Sequence, residues 1–274
     1  VFASLLSLPE AILLGIVEGI TEFLPVSSTG HLLVVSDLIG FAEGDAQQAA
    51  DTYAIAIQFG AILAVLGLYR TRVVSMLRGV AGRDDDGRHV VGALCVAFLP
   101  AALAGVVFGD AIKDALFGPV PITIAWFVGG VLLLAWTPRS GNIALHQIPL
   151  KSAAIIGVAQ VIALWPGVSR SLVTLLAGLL VGLSLSAAIE FSFLLGLITL
   201  SAATIFDTAR HGDQLVEMFG LMTPLVGIAT ACVTAIIAVR WMVSYLGSRS
   251  LAIFGWYRIG IAATTAALIA TNTI

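Results

Sequence analysis

Six stretches of this chain are apolar for long enough to cross a bilayer, and that constrains the fold more than any motif does. They run roughly 50–70, 88–109, 119–137, 187–206, 219–241 and 251–271, each meeting the ~17–25 residues a spanning helix needs. Composition agrees: 59% of the 274 residues are hydrophobic and 11% are charged, where a soluble domain carries ~25% charged. A chain this poor in charge cannot cover a soluble enzyme's surface, and it is too apolar to stay disordered. Net charge is -3 with the basic residues scattered, so no stripe exists for a nucleic-acid backbone. Cys95 and Cys232 lie within apolar runs and lack metal or redox spacing; they read as small core residues. The fold class expected is an all-α polytopic membrane protein.

Residues 1–24 have no basic leading stretch and carry Glu10, Glu18 and Glu22, so they read as mature fold and not as a leader. Residues 8–24, 29–42, 152–165 and 169–184 are short, and they pair across two polar breaks, Pro25-Val-Ser-Ser-Thr-Gly and Pro166-Gly-Val-Ser-Arg-Ser. Paired half-length helices around a break read as re-entrant hairpins, near 8–42 and 152–184. Irregular backbone at membrane depth is tolerated only where it is buried or lines a wet cavity. Two such breaks at corresponding places mark a site between repeats. At an offset of 142, Gly15 falls on Gly157, Glu18 on Gln160, Phe23 on Trp165, Ser27 on Ser169 and Ser28 on Arg170; Gly60 and Gly196 match at a slightly different offset. The expected organisation is one membrane domain over 1–274, with a first repeat at 1–137 and a second at 150–274. Each repeat would hold one re-entrant hairpin and three transmembrane helices. An odd number of crossings inverts the second repeat relative to the first.

One set of connections carries Arg70, Arg72, Arg78, Arg83, Arg88, Arg139, Lys151, Arg240 and Arg249, and the opposite set only Lys113 and Arg210. The positive-inside rule makes the first set cytoplasmic, so the mouth of the first hairpin opens outward. The polar stretch 70–89 reads as a solvated cytoplasmic loop.

Ionisable groups at membrane depth are costly unless paired, so each is a functional candidate. They are Glu18, Glu22, His31, Arg170, Glu190 and Arg258. Glu18 and Glu22 share a helix face; such a pair holds a divalent cation through oxygen, divides into a base and an electrostatic partner, or is protonated and bonded to backbone. Ser27, Ser28, Thr29 and His31 surround the first break, where a helix start near Thr29 offers free N–H groups to phosphate. Ser27 is also expected to cap that helix. Ser169, Arg170, Ser171 and Thr174 repeat the arrangement with a permanent cation suited to bidentate phosphate contacts; the other reading has the hydroxyls as caps and the arginine at the headgroups. His31 beside two hydroxyls is a base or a phosphate ligand. Glu190, near Ser184 and Ser186 at a helix start, is structural or functional. Arg258, in Gly-Trp-Tyr-Arg, reads as an interfacial anchor with Trp256 and Tyr257. The sum is an outward-open intramembrane anion site, serving a lipid-phosphate phosphatase or an inverted-repeat transporter of an anionic phosphate. The carboxylates beside hydroxyls and an imidazole favour hydrolysis.

These residues resemble the undecaprenyl-diphosphate phosphatase family, the UppP/BacA bacitracin-resistance proteins. Glu18-Gly-Ile-Thr-Glu22-Phe-Leu-Pro-Val-Ser-Ser-Thr-Gly-His31 is similar to the family's first motif and Pro166-Gly-Val-Ser-Arg-Ser-Leu-Val-Thr174 to its second. Gln58-Phe-Gly60, Phe191-Ser-Phe-Leu-Leu195 and Tyr257-Arg258 are weaker echoes. Leu172 stands where the family usually has Gly, and Trp165 where a smaller aliphatic is common. The resemblance implies removal of the terminal phosphate of undecaprenyl diphosphate at the outer face of the bacterial plasma membrane, recycling the carrier for cell-wall synthesis. It also implies dependence on Mg²⁺ or Ca²⁺. The roles expected are Glu22, Ser28, His31 and Arg170 in catalysis, Ser28 as nucleophile with His31 as base or itself the nucleophile. Ser27, Thr29, Ser169, Ser171 and Thr174 would bind substrate, and Glu18 with Glu22 would hold the metal. Small-residue faces permit a homodimer.

Overall fold

A computed structural model describes residues 6–41 and 46–274, with backbone only at 46–48, 207, 208 and 210–214. Residues 1–5, the end of the first hairpin at 42 and the Arg210 side chain lie outside the described residues. The chain folds into helices: α1 (Leu8–Thr21), α2 (Ser28–Leu38), α3 (Ala46–Leu68), α4 (Arg70–Val80), α5 (Asp85–Leu116), α6 (Pro119–Ala135), α7 (Leu150–Gln160), α8 (Arg170–Leu180), α9 (Leu185–Phe219), α10 (Met222–Leu246) and α11 (Ala252–Ala270).

Among the described residues five helices are long and apolar enough to cross a membrane: Ala49–Leu68, Asp85–Leu116, Leu185–Phe206, Met222–Leu246 and Ala252–Ala270. The sixth expected span is shorter, 17 residues, because α6 opens at Pro119 and Trp136 turns extended just ahead of Pro138. Large apolar side chains point outward along these helices, with Leu103, Val106 and Val107 exposed on α5 and Phe127 and Val128 on α6. In water such a belt would aggregate; in a bilayer it faces lipid. Cys95 lies exposed on α5 and Cys232 is half-buried, so the core expectation fails for Cys95. Lipid-facing positions tolerate the same small apolar side chains as a core, and composition cannot separate the two.

The stretch 70–89 is not a solvated loop. Its first part is α4, which packs on the start of α5 and turns Val73 and Met76 into the core. Two glycines allow the contact, since a Cβ on Gly79 would meet the Gly87 and Arg88 backbone. Asp84 then caps α5, accepting from the Gly87 N–H at 2.8 Å and from Ser75 Oγ at 2.7 Å.

The packing order is reciprocal. Helix α1 packs on α10 while α7 packs on α5; α3 meets both α9 and α10, and α6 meets α11. Both short first arms press a glycine onto their partner. A Cβ on Gly15 would stand 2.6 Å from the Gly227 carbonyl oxygen, and one on Gly157 2.5 Å from that of Ala97. Glu10 closes a capping box with Ser7 at the start of α1.

Candidate active site

The two breaks adopt one backbone shape. Ser27 sits at φ 73°, ψ 100° and Ser169 at φ 75°, ψ 110°. Among the described residues only one further non-glycine, Asn272, has a positive φ. Side chains rarely adopt this region, and strain of this kind concentrates at functional sites. The breaks are also bonded to each other. Ser27 Oγ accepts from the Gly167 N–H at 3.0 Å, and Ser171 Oγ donates to the Leu24 carbonyl at 2.8 Å. Ser27 therefore occupies the cap position of α2 without capping it, its hydroxyl being committed across the interface. Ser169 does cap α8, through the Leu172 N–H at 3.3 Å.

Across this junction, residues far apart in sequence form one charged cluster. Arg170 Nη2 donates to Glu22 Oε1 at 2.5 Å, and Ser28 Oγ donates to the other oxygen of Glu22. Arg170 Nη1 reaches the Ser192 carbonyl at 3.2 Å, and the guanidinium carbon stands 5.7 Å from the Phe23 ring centroid. Gly196 on α9 makes room, since any Cβ there would strike the guanidinium. Glu18, one turn before Glu22, is fully buried, and among the described residues neither of its carboxyl oxygens has a hydrogen-bond partner. The first intrahelical bond of α2 runs from the His31 N–H to the Ser27 carbonyl. The N–H groups of Ser28, Thr29 and Gly30 thus stand outside the helical ladder.

His31 is held on three sides. Its Nδ1 lies 2.6 Å from the Ser27 carbonyl, its Nε2 lies 2.8 Å from the Tyr257 hydroxyl, and Trp126 packs edge-on with ring centroids 4.8 Å apart. A carbonyl only accepts, so Nδ1 carries the proton, and in the neutral ring Nε2 accepts from Tyr257. Both nitrogens are thereby engaged away from Ser28, whose partner is Glu22. Arg258 is not an interfacial anchor. It is wholly buried and donates to the carbonyls of Pro25 at 3.3 Å, Ala125 at 2.9 Å and Gly167 at 2.8 Å. Trp256 and Tyr257 beside it are both exposed.

Of the sequence candidates, Glu22, Ser28 and Arg170 are in direct contact, with His31 one helical turn beyond Ser28. Ser171 and Thr174 are buried with their hydroxyls spent inside the junction, Thr174 Oγ1 lying 2.7 Å from Ser192 Oγ and donating to the Arg170 carbonyl. Thr29 is half-buried beside Ser28. Glu190 stands apart, bridged to Arg72 of α4 at 2.6 Å beside a cleft lined by Tyr69, Thr71 and Ser75. Ser184 caps α9 through the Ala187 N–H. Leu172 is buried in the core, and Trp165 donates to the Pro121 carbonyl at 3.2 Å. In the sequence Ser192 stood out only within the weak Phe191-Ser-Phe-Leu-Leu195 echo and Tyr257 only through the Tyr257-Arg258 echo, while Trp126 carried no signal and looks like an ordinary apolar-helix residue until the helices pack.

Such a cluster, buried among membrane-length helices, defines a multi-pass membrane protein with a buried ionic site. The profile of the family described as bacitracin resistance protein BacA matches residues 11–264, and the chain belongs to that family. It is 44% identical over 261 residues to an undecaprenyl-diphosphatase of Sorangium cellulosum, covering 93% of this chain and 84% of that protein. It is 45% identical to one of Nitrosomonas eutropha and 42% to undecaprenyl-diphosphatase 1 of Chromobacterium violaceum, covering 93% and 91% of this chain and 92% of each relative.

Proposed function

We propose that this protein is an integral-membrane phosphatase that hydrolyses undecaprenyl diphosphate to undecaprenyl phosphate and inorganic phosphate. It thereby recycles the lipid carrier for cell-wall synthesis and supports bacitracin resistance. The observation that carries the reading is the Ser28–Glu22–Arg170 cluster, in a chain whose relatives across more than nine-tenths of its length are named for this activity.

The chemistry follows from who holds whom. Ser28 Oγ is the nucleophile: it attacks the terminal phosphorus as its proton passes to the Glu22 carboxylate to which it already donates. The bond between that phosphorus and the bridging oxygen breaks, and undecaprenyl phosphate leaves with the bridging electrons. Arg170 and the free N–H groups at the start of α2 stabilise the charge on the transferred phosphoryl group. Water then attacks the phosphoserine, and the bond from phosphorus to Ser28 Oγ breaks as Glu22 returns its proton to that oxygen; phosphate leaves with the water's hydroxyl, and the water's second proton goes to solvent. His31, fixed by Ser27 and Tyr257, orients the first turn of α2. Near-normal turnover in Ser28→Ala with none in His31→Ala would eliminate the serine route.

A hard divalent cation, Mg²⁺ or Ca²⁺, fits the donor set in kind. Glu18 offers two buried, unpartnered oxygens beside Glu22, and oxygen is the ligand such ions take. Among the described residues no three His, Cys, Asp or Glu side chains cluster to hold a metal, so the diphosphate itself and water would complete the shell. Bound there, the ion would neutralise phosphate charge.

The architecture we favour is an inverted repeat over 1–137 and 150–274, each with one re-entrant hairpin (near 8–42 and 152–184) and three transmembrane helices. The reciprocal packing of α1 on α10 and α7 on α5, and the matching φ and ψ of Ser27 and Ser169, support it. The arginine-rich connections support an orientation in which the site opens to the outer face of the plasma membrane.

The test is phosphate release from a polyprenyl diphosphate by purified protein, with and without EDTA, beside Arg170→Ala. Release that needs both metal and Arg170 is the expected result. No release from folded protein that still binds the lipid would overturn hydrolysis in favour of a carrier.

A further inference from the structure

Arg258 is among the largest wholly buried side chains and has no carboxylate partner among the described residues. A buried cation without a counter-ion is expensive at membrane depth, and its position explains what holds it there. Pro25 and Gly167, two of its three acceptors, lie two residues before the strained Ser27 and Ser169, one in each break. Backbone in these breaks has left the helical ladder, so its buried carbonyls need donors from elsewhere. The third acceptor, the Ala125 carbonyl, belongs to α6. Gly129 of α6 clears the path, since a Cβ there would run into the guanidinium.

We propose that Arg258 is the positioning residue of the site: its fork ties both breaks to α6 and sets Ser28, on one break, in register with Arg170, on the other. This rests on the reading of the two breaks as one phosphate site. A planar guanidinium meets three carbonyls that diverge from one another; the point charge of lysine cannot. When the tie is lost the substrate is still gripped by Arg170 and by its lipid tail, but the nucleophile is out of line. Misplacement of ~1 Å costs ~10²-fold in rate.

Two readouts test the proposal in the full-length protein in detergent. The first is the split between kcat and KM in Arg258→Lys and Arg258→Gln. The second is the distance distribution between spin labels at the exposed positions Leu38 and Leu180, the ends of α2 and α8 away from the breaks, with Cys95 and Cys232 changed to serine. Expected are a ~10²-fold lower kcat in both variants, a KM within a few-fold of the parent, and a broadened distance distribution. Parental kcat in folded Arg258→Gln, recovery by Arg258→Lys, or lost kcat with an unchanged distribution would each overturn it. Should neither variant fold, Gly129→Ala, which pushes the fork aside without removing it, must lower kcat and broaden the distances; parental behaviour overturns the proposal. The spin-label arm needs no turnover, so it judges the tie even if the parent protein releases no phosphate.

Discussion

The first and second breaks share a backbone and differ in nearly everything chemical. Both reverse through a serine at φ near 75°, written out as 73° and 75°, and both follow a short helix pressed by glycine onto a long one. At matching positions, however, the first carries Glu18, Glu22, Ser28 and His31, and the second Gln160, Leu164, Arg170 and Val173. Turning the chain is thus separable from the chemistry mounted on the turn. The acid and hydroxyl sit on one break and the cation on the other, so the Glu22–Arg170 pair forms only when the two breaks meet. One contact completes the site and makes each buried charge tolerable.

Removing the charge of the second break should have the largest effect. Arg170→Ala is expected to lower phosphate release by ~10³-fold, the scale of a lost transition-state donor or arginine. Arg170→Lys should recover less than about a tenth of that loss, because the fork is needed at both Glu22 and phosphate; full recovery would reduce the second break to a point charge.

Exchanging the matched polar residues sharpens the comparison. Glu18→Gln should raise the divalent-ion concentration needed for half-maximal activity by ~10-fold or more, the scale on which even supporting groups act at metal sites. Gln160→Glu should leave turnover per folded molecule nearly unchanged and cost about 3 kcal/mol of stability. Gln160 is buried, and its side-chain amide has no hydrogen-bond partner among the described residues, so a new carboxylate would find no bond already in place. Parental stability of Gln160→Glu, read by thermal melting, would mean that the second half also admits a cation or water.

The paired serines give a smaller contrast. Ser27→Ala strands the buried Gly167 N–H and should cost ~1–3 kcal/mol, whereas Ser169→Ala removes an ordinary cap worth ~1 kcal/mol. Equal losses would mean that the bond across the breaks carries no special weight. Outside both breaks the effect should be least. Asp84 caps α5, and hydrogen bonds from the Gly87 N–H and from Ser75 hold its carboxyl below its usual range. Its stabilisation is therefore present above the ordinary aspartate range and fades as pH falls through the lowered value. Asp84→Asn should flatten that acid limb slightly in a pH series of melting curves and leave phosphate release untouched.

Much of this was legible without coordinates, because a bilayer leaves a chain few options. Apolar length located the spanning helices, and two broken, short, hydroxyl-rich segments located the strained turns, since backbone off the helix needs burial or water. The offset that set Ser27 on Ser169 falls on the two residues with the same unusual φ. Motif order singled out Glu22, Ser28 and Arg170.

Partnership was not legible. Hydroxyls capable of meeting phosphate were indistinguishable in sequence from hydroxyls that bind the junction: Ser27, Ser171 and Thr174 turned out to be bonded to Gly167, Leu24 and Ser192. Ser28 donates to Glu22 and not to the nearby His31, whose ring is taken up by Ser27 and Tyr257. Arg258, beside two aromatics, had the composition of an interface anchor and the location of a buried tie. Hydrophobic length and breaks are local properties, and the chain alone determined them. Which charge faces which, and which arginine is buried between two turns, depends on helices more than 100 residues apart packing at one place, and only the tertiary structure decided it.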